Sequence, residues 1–117
     1  MNSNEIDKLT LEFQGIQKIL IALGDENRQH LILEMMQMGN CQGVRVGEIT
    51  KRTHLSRPAV SHHLQILKDA GIVFRRKEGT KNYYYFDDKN NSMESLITAL
   101  THAKTIMNSL PKRDSDD

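Results

Sequence analysis

Leu55-Ser56-Arg57-Pro58-Ala59-Val60-Ser61-His62-His63-Leu64-Gln65-Ile66-Leu67-Lys68-Asp69-Ala70-Gly71 is the stretch that decides how this chain folds. Ser56 has the short oxygen side chain of a helix N-cap, and Pro58 falls in the first turn, where its missing N–H costs little. Val60, Leu64 and Leu67 recur at helical spacing and predict one buried stripe, and Gly71 stops the helix. The opposite side keeps Arg57, Ser61, His62, Gln65 and Lys68, all rich in hydrogen-bonding groups. Upstream, about Gly47 to Thr53 reads as a short helix with Ile49 inward, and His54-Leu55 as a turn. Two helices joined by a short turn, the second polar on its outer face, are the parts of a helix-turn-helix. Such turns often carry glycine. His54 stands there here, which predicts either a strained left-handed residue or a somewhat different turn.

Downstream, Ile72-Val73-Phe74-Arg75-Arg76-Lys77 and Asn82-Tyr83-Tyr84-Tyr85-Phe86 are strand-like, and Glu78-Gly79-Thr80-Lys81 joins them into a hairpin with a basic tip. The last helix covers about Asn91 to Leu110, with Met93, Leu96, Leu100, Ala103, Met107 and Leu110 on one stripe, and Pro111 closes it. Upstream, residues 5–23 predict one helix whose Ile6, Leu9, Phe13, Ile16, Leu20 and Leu23 repeat the same spacing. A narrow apolar seam of that kind belongs to paired helices. Gly24 ends it and Asp25 caps the next helix, which runs to about Met38, buries residues such as Ile32 and Met36, and stops at Gly39. Gly39 to Gly43 is a loop, and Val44-Arg45-Val46 a possible small strand. The fold class is mainly α with a small β-hairpin (α+β), one domain over residues 1–110 and a disordered tail over 111–117.

The 117 residues suffice for one domain, and the net charge of +1 hides an uneven distribution. Residues 45–81 hold nine Lys and Arg against three acids, whereas residues 1–44 and 82–117 each hold six acids against three and four bases. A basic centre points to a polyanion, most often nucleic acid. The alternative is a solvated surface that is merely basic. Arg57 and Gln65 suit bidentate contacts to guanine and adenine edges in a major groove. Ser56 and Ser61 suit phosphates, as does the helix N-terminus at Ser56-Arg57-Pro58. His62 and Lys68 complete the polar face, and Arg76, Lys77 and Lys81 on the hairpin suit a second contact to backbone or minor groove.

The segments Leu23-Gly24-Asp25-Glu26-Asn27-Arg28, Leu55 to Leu64, Leu67-Lys68-Asp69-Ala70-Gly71-Ile72-Val73, Arg76-Lys77-Glu78-Gly79-Thr80 and Tyr84-Tyr85-Phe86 resemble the ArsR/SmtB-type winged helix-turn-helix repressors. The resemblance covers roughly residues 19–87. It implies a homodimer built on the first and last helices, binding to double-stranded DNA at a two-fold symmetric operator, and release by a small effector. The two seams support pairing independently, with Leu9, Phe13, Ile16 and Leu20 on the first helix and Leu96, Leu100, Ala103 and Met107 on the last. The alternative for both helices is packing on their own domain.

Many members of that family are metal sensors. The Cys-x-Cys element that precedes the recognition helix in some of them is replaced here by Val46-Gly47-Glu48-Ile49-Thr50, and the last helix offers only Glu94 and His102. These lie eight residues apart, about 12 Å along a helix, too far to share an ion. No metal ligand set and no cofactor is therefore assigned. His62 and His63 point about 100° apart and are poor joint ligands; His62 reads as facing DNA, His63 as half-buried and hydrogen-bonded, and His30 as lying on a solvated face. Cys41 is the only cysteine, which excludes an internal disulfide and fits a cytoplasmic protein. It is a weak candidate for a redox thiol, with no His or Lys within a few residues to lower its pKa. There is no apolar run long enough to span a membrane and no secretory h-region. With no paired carboxylates, phosphate loop or metal cluster, the chain does not read as an enzyme. The sequence thus predicts a sequence-specific transcriptional regulator. The competing readings are a winged helix that binds protein rather than DNA, and a sensor of metal or redox state with a non-standard site.

Overall fold

The computed structural model describes residues 3–39 and 42–113. The elements run α1 (Ser3–Gly15), α2 (Gln17–Leu23), α3 (Glu26–Met38), α4 (Val46–Thr50), α5 (Arg57–Asp69), β1 (Val73–Glu78), β2 (Lys81–Phe86) and α6 (Asn91–Ser109). Helices α2 to α5 build the core with the base of the hairpin. Helices α1 and α6 lie side by side. Cys41 and residues 114–117 lie outside the described residues, so the readings of a redox thiol and of a disordered tail to 117 are not addressed by this structure.

The helix expected over 5–23 is two helices. Gly15, a poor helix former, precedes Ile16, whose backbone (φ −110°, ψ 10°) leaves the helical region while its side chain is buried. After the break, α2 turns Ile16, Ile19 and Ala22 inward; Leu20 is left half outside and α1 buries no residue. In α3 the Asp25 carboxylate accepts the Arg28 N–H at 3.1 Å, the predicted cap, and Gly39 closes the far end. Its inward row is Arg28, Leu31 and Met35, whereas Ile32 is half-buried and Met36 exposed. The expected row was out of phase because a charged residue, Arg28, occupies the first inward position.

Val44 makes only a single bridge to Tyr84, with both N–H to O distances 2.8 Å, and Val46 already opens α4. Gly43 is required beside this bridge. Its φ is +105°, and a Cβ there would sit 3.0 Å from the Tyr83 Cβ and 3.1 Å from the Tyr84 carbonyl oxygen. The α4–α5 turn is built without a left-handed residue: Asn90 alone among the described non-glycine residues has positive φ. Instead the Arg52 and Thr53 N–H groups tighten onto the Ile49 and Thr50 carbonyls, and Thr53 Oγ1 accepts from the Leu55 N–H at 3.1 Å. His54 is therefore not strained, and the different turn is the one adopted.

Helix α5 follows its prediction closely. Ser56 Oγ accepts the Ala59 N–H at 3.3 Å, Pro58 lies in the first turn, and Val60, Leu64 and Leu67 are fully buried. At its end Gly71 (φ +75°) lets the Ile72 N–H reach the Leu67 carbonyl at 3.0 Å and its own N–H reach Lys68 at 2.9 Å, the two bonds of a Schellman motif. The chain then enters an antiparallel hairpin in register from Val73↔Phe86 to Glu78↔Lys81, so the expected four-residue connection closes to Gly79-Thr80. Helix α6 starts where the Asp87 carboxylate accepts the Lys89 and Asn91 N–H groups, and Ser92 Oγ donates to the Gly71 carbonyl at 2.9 Å. Met93, Leu96, Ala99 and Ala103 face the protomer, while Leu100, Met107 and Leu110 are exposed. Hydropathy spacing favoured leucine over alanine; the closest packing went to Ala99.

The contrast between rows in α3 and α5 has a measurable consequence. Leu64→Ala is expected to cost about 2–5 kcal/mol in urea unfolding through transfer and cavity terms, whereas Met36→Ala stays within about 0.5 kcal/mol. Equal costs would show that the core is misplaced.

Candidate nucleic-acid interface

Anchoring one side of α5 leaves the other bare. Ser56, Arg57, Pro58, Ser61, His62 and Gln65 are exposed and Lys68 half-buried. Spacings of four, four and three put Arg57, Ser61, Gln65 and Lys68 on one stripe, with His62 and Pro58 at its edge. Arg57 approaches α4, its guanidinium about 4.0 Å from where a Cβ on Gly47 would lie. Gln65 Nε2 donates to Asp69 Oδ1 at 2.9 Å, a surface contact that a base edge can replace. The Ser56 side chain already serves as cap, so its hydroxyl is shared between α5 and any phosphate.

The hairpin sorts its basic residues by the pleat. Partners across the ladder share a face, so Arg75 and Lys77 go with the buried Tyr84, and Arg76 and Lys81 with Tyr83. Of the three hairpin residues expected to touch DNA, Lys77 and Lys81 are exposed on opposite faces. Arg76 is largely committed within the protein. It pairs with Glu78, donates through Nη2 to the Gln42 carbonyl at 2.7 Å, and its guanidinium lies 4.7 Å from the Tyr83 ring centre. Arg75, passed over in the sequence, is exposed on the Lys77 face. Only the strand register distinguishes it from Arg76.

Two contacts were not foreseen. The first is Arg28, the buried charged residue among those described, at 8% exposure. It reaches α5, with Nη1 3.2 Å from His63 Nδ1. His63 is thus the half-buried, hydrogen-bonded histidine that the sequence suggested, and its partner is 35 residues away. Burial, ahead of other influences, holds the His63 pKa below the ordinary value of 6.5; Asp25 pulls it up and Arg28 and His62 push it down. The second is His102, weighed above as a metal ligand, whose Nδ1 lies 2.8 and 2.9 Å from the two Glu12 carboxylate oxygens and ties α6 to α1. Glu94 takes no part in that contact. Among the described residues no group of three or more His, Cys, Asp or Glu is placed to hold a metal ion. His30 Nε2 lies 3.9 Å from Glu34, so it is not without a neighbour on its face.

The residues expected to pair two chains divide. Phe13, Leu20, Leu100 and Met107 are exposed and Leu9 and Leu96 half-buried, whereas Ile16 and Ala103 spend their apolar surface inside the protomer. Leu11 and Ile97, at 68% and 56% exposure, add to the uncovered apolar surface of α1 and α6.

Comparison with known proteins places this arrangement. Residues 27–74 match the family described as bacterial regulatory protein, arsR family, a span that includes α4, the turn and α5. The chain is 36% identical over 91 residues to an HTH-type transcriptional regulator of Methanocaldococcus jannaschii, covering 76% of this chain and 98% of that one. It is 28% identical over 74 residues to the arsenical resistance operon repressor of Staphylococcus aureus, covering 63% of this chain and 67% of that one. In three dimensions it is similar to the homodimeric winged helix-turn-helix DNA-binding domain of a possible ArsR-family regulator from Mycobacterium bovis. That likeness has a TM-score of 0.60 at 19% identity and covers 92% of this chain and 95% of the other. The fold is therefore a winged helix-turn-helix, with α5 as its recognition helix and the hairpin as its wing, and the chain belongs to the arsR family of transcriptional regulators, a family of regulators and not of enzymes.

Proposed function

We propose that this regulator is a homodimeric repressor that places α5 in the major groove of an inverted-repeat operator and is released by a small effector. The observation that carries the reading is α5 itself: buried along Val60, Leu64 and Leu67, and bare along Arg57, Ser61, Gln65 and Lys68. In this reading Arg57 and Gln65 contact base edges, and Ser56, Pro58 and Ser61 bring the helix start against phosphate. His62 and Lys68 flank the groove. Lys77 and Lys81 extend the contact from the wing, with Arg76 stiffening it. The charge pattern supports this over a protein-binding winged helix, because the basic residues concentrate in the segment that forms the two surfaces expected to meet DNA.

Pairing of two chains is supported by shape. The radius of gyration is 18.2 Å, against about 13 Å for a compact domain of this length. Helix α1 has no fully buried residue within the protomer, and Phe13, Leu100 and Met107 are left exposed. A second copy covering them would supply the pair of recognition helices, about 34 Å apart, that an inverted-repeat operator requires. Among the described residues no helix is long and apolar enough to cross a membrane. Repression by occupying the site is supported by the S. aureus relative, which is named a repressor.

Titration of the protein against its own upstream duplex by fluorescence anisotropy, with random duplex as control, tests the reading directly. Binding of one dimer to an inverted repeat, weakening steeply with salt, is expected; equal affinity for both duplexes would instead leave a basic winged helix that serves protein contacts. Arg57→Ala is expected to lose about 1–3 kcal/mol on the preferred duplex and less on random DNA. An equal loss on both assigns Arg57 to phosphate. Leu100→Glu combined with Met107→Glu is expected to give monomers in sedimentation velocity, and a persisting dimer would move the interface elsewhere.

A further inference from the structure

Arg28 holds three elements together. Nε donates to the Ala22 carbonyl at 2.8 Å and Nη2 to the Ile21 carbonyl at 3.0 Å, both in the last turn of α2, where a helix leaves acceptors open. Asp25, 3.9 Å away, caps α3 and balances the charge. The remaining nitrogen, Nη1, faces His63 Nδ1 on α5 at 3.2 Å. A guanidinium only donates, so Nδ1 must be the acceptor and the imidazole proton sits on Nε2. His63 is therefore neutral in this arrangement. Protonation puts an N–H on Nδ1, and two donors, both cationic, then face each other across a half-buried contact. His63 lies away from the Arg57 stripe on the helix, so a loss of this contact loosens α5 from the side opposite DNA.

We propose that Arg28 is a positioning residue of the recognition helix, and that its hydrogen bond to neutral His63 makes DNA affinity fall on acidification. The inference rests on the DNA-binding reading above. The charged groups facing His63 are Asp25 before α3, Arg28 on α3 and His62 on α5 itself. The sign follows from the contact itself, since a protonated Nδ1 can no longer accept from Arg28 and α5 loses that hold. The folded protein disfavours protonated His63, so the contribution of this contact is whole above 6.5, the ordinary histidine value, and is lost as pH falls through the lower folded value. His62 is exposed on α5 beside the stripe expected to meet DNA, so it is removed in the test and the profile then reports on His63.

The probe is a duplex selected by the wild-type protein from a random-sequence pool, with anisotropy read at fixed salt and circular dichroism recorded alongside. The His62→Gln protein is expected to lose about tenfold in affinity between about pH 7.5 and 5.5 while staying folded. Adding His63→Asn, whose amide oxygen accepts in place of Nδ1, is expected to keep the affinity at the higher pH and flatten the profile. An unchanged profile in the double variant overturns the proposal. Should that variant not fold, nitrogen-15 spectra of the wild-type imidazoles decide. An unprotonated His63 Nδ1 at neutral pH, with amides of α5 shifting as His63 titrates, supports it; a protonated Nδ1, or titration that leaves α5 unmoved, overturns it. Failure to select any duplex overturns the DNA reading, while the same spectra still judge the Arg28–His63 contact.

Discussion

A recognition helix must be rigid on one side and bare on the other, and the burial of Val60, Leu64 and Leu67 meets that constraint here. Each fully buried aliphatic side chain stabilises by about 1.5–3 kcal/mol, a large share of the marginal stability of a domain this size. Much of the fold is arranged around that row. Helices α2, α3, α4 and strand β1 all touch α5. The Schellman end at Gly71 turns the chain straight into the wing, and Ser92 bonds back to that same turn, so α6 begins from a point defined by α5. Recognition helix, wing and last helix thus share one mechanical origin.

Polar chemistry supplements this packing where apolar contact cannot reach. Arg28 sits in the inward row of α3 because its donors satisfy the open carbonyls of α2 and its charge is balanced by Asp25; buried without them it would be strongly destabilising. At the wing, Arg76 bonds the Gln42 carbonyl while Val44 bridges Tyr84, so the hairpin is tied to the loop before α4 rather than swinging from its base. Arg76 is thus spent on structure, and the exposed Arg75, Lys77 and Lys81 of the hairpin remain for a partner.

The terminal helices follow another logic. Helix α1 meets its own chain along α6, where Glu12 accepts from His102, yet it contributes no buried residue. In the proposed dimer a second copy would cover its exposed apolar side chains. This fits the elongated shape of the protomer and the pairing named for the M. bovis structure.

Local signals were legible in the sequence wherever a single element decides its own state: the Ser56 and Asp25 caps, the α5 stripe, the stops at Gly39 and Gly71, and the hairpin around Gly79. Their physics is confined to a few neighbouring residues, and hydropathy, caps and turns carry it. The family, too, was legible, because its segments lie in that same stretch. What the tertiary structure alone decided was phase and partnership. Ile16 breaks the first helix because its side chain is drawn into a core made by other elements. Arg28 displaces Ile32 and Met36 from the inward row because carbonyls of α2 await it. Ala99 is buried ahead of Leu100, and Arg76 is bound while Arg75 is free, through helix phase and strand register. His63 and His102 found Arg28 and Glu12 from 35 and 90 residues away. Contacts across such separations depend on where the other elements come to rest, and periodicity along one segment carries no record of that.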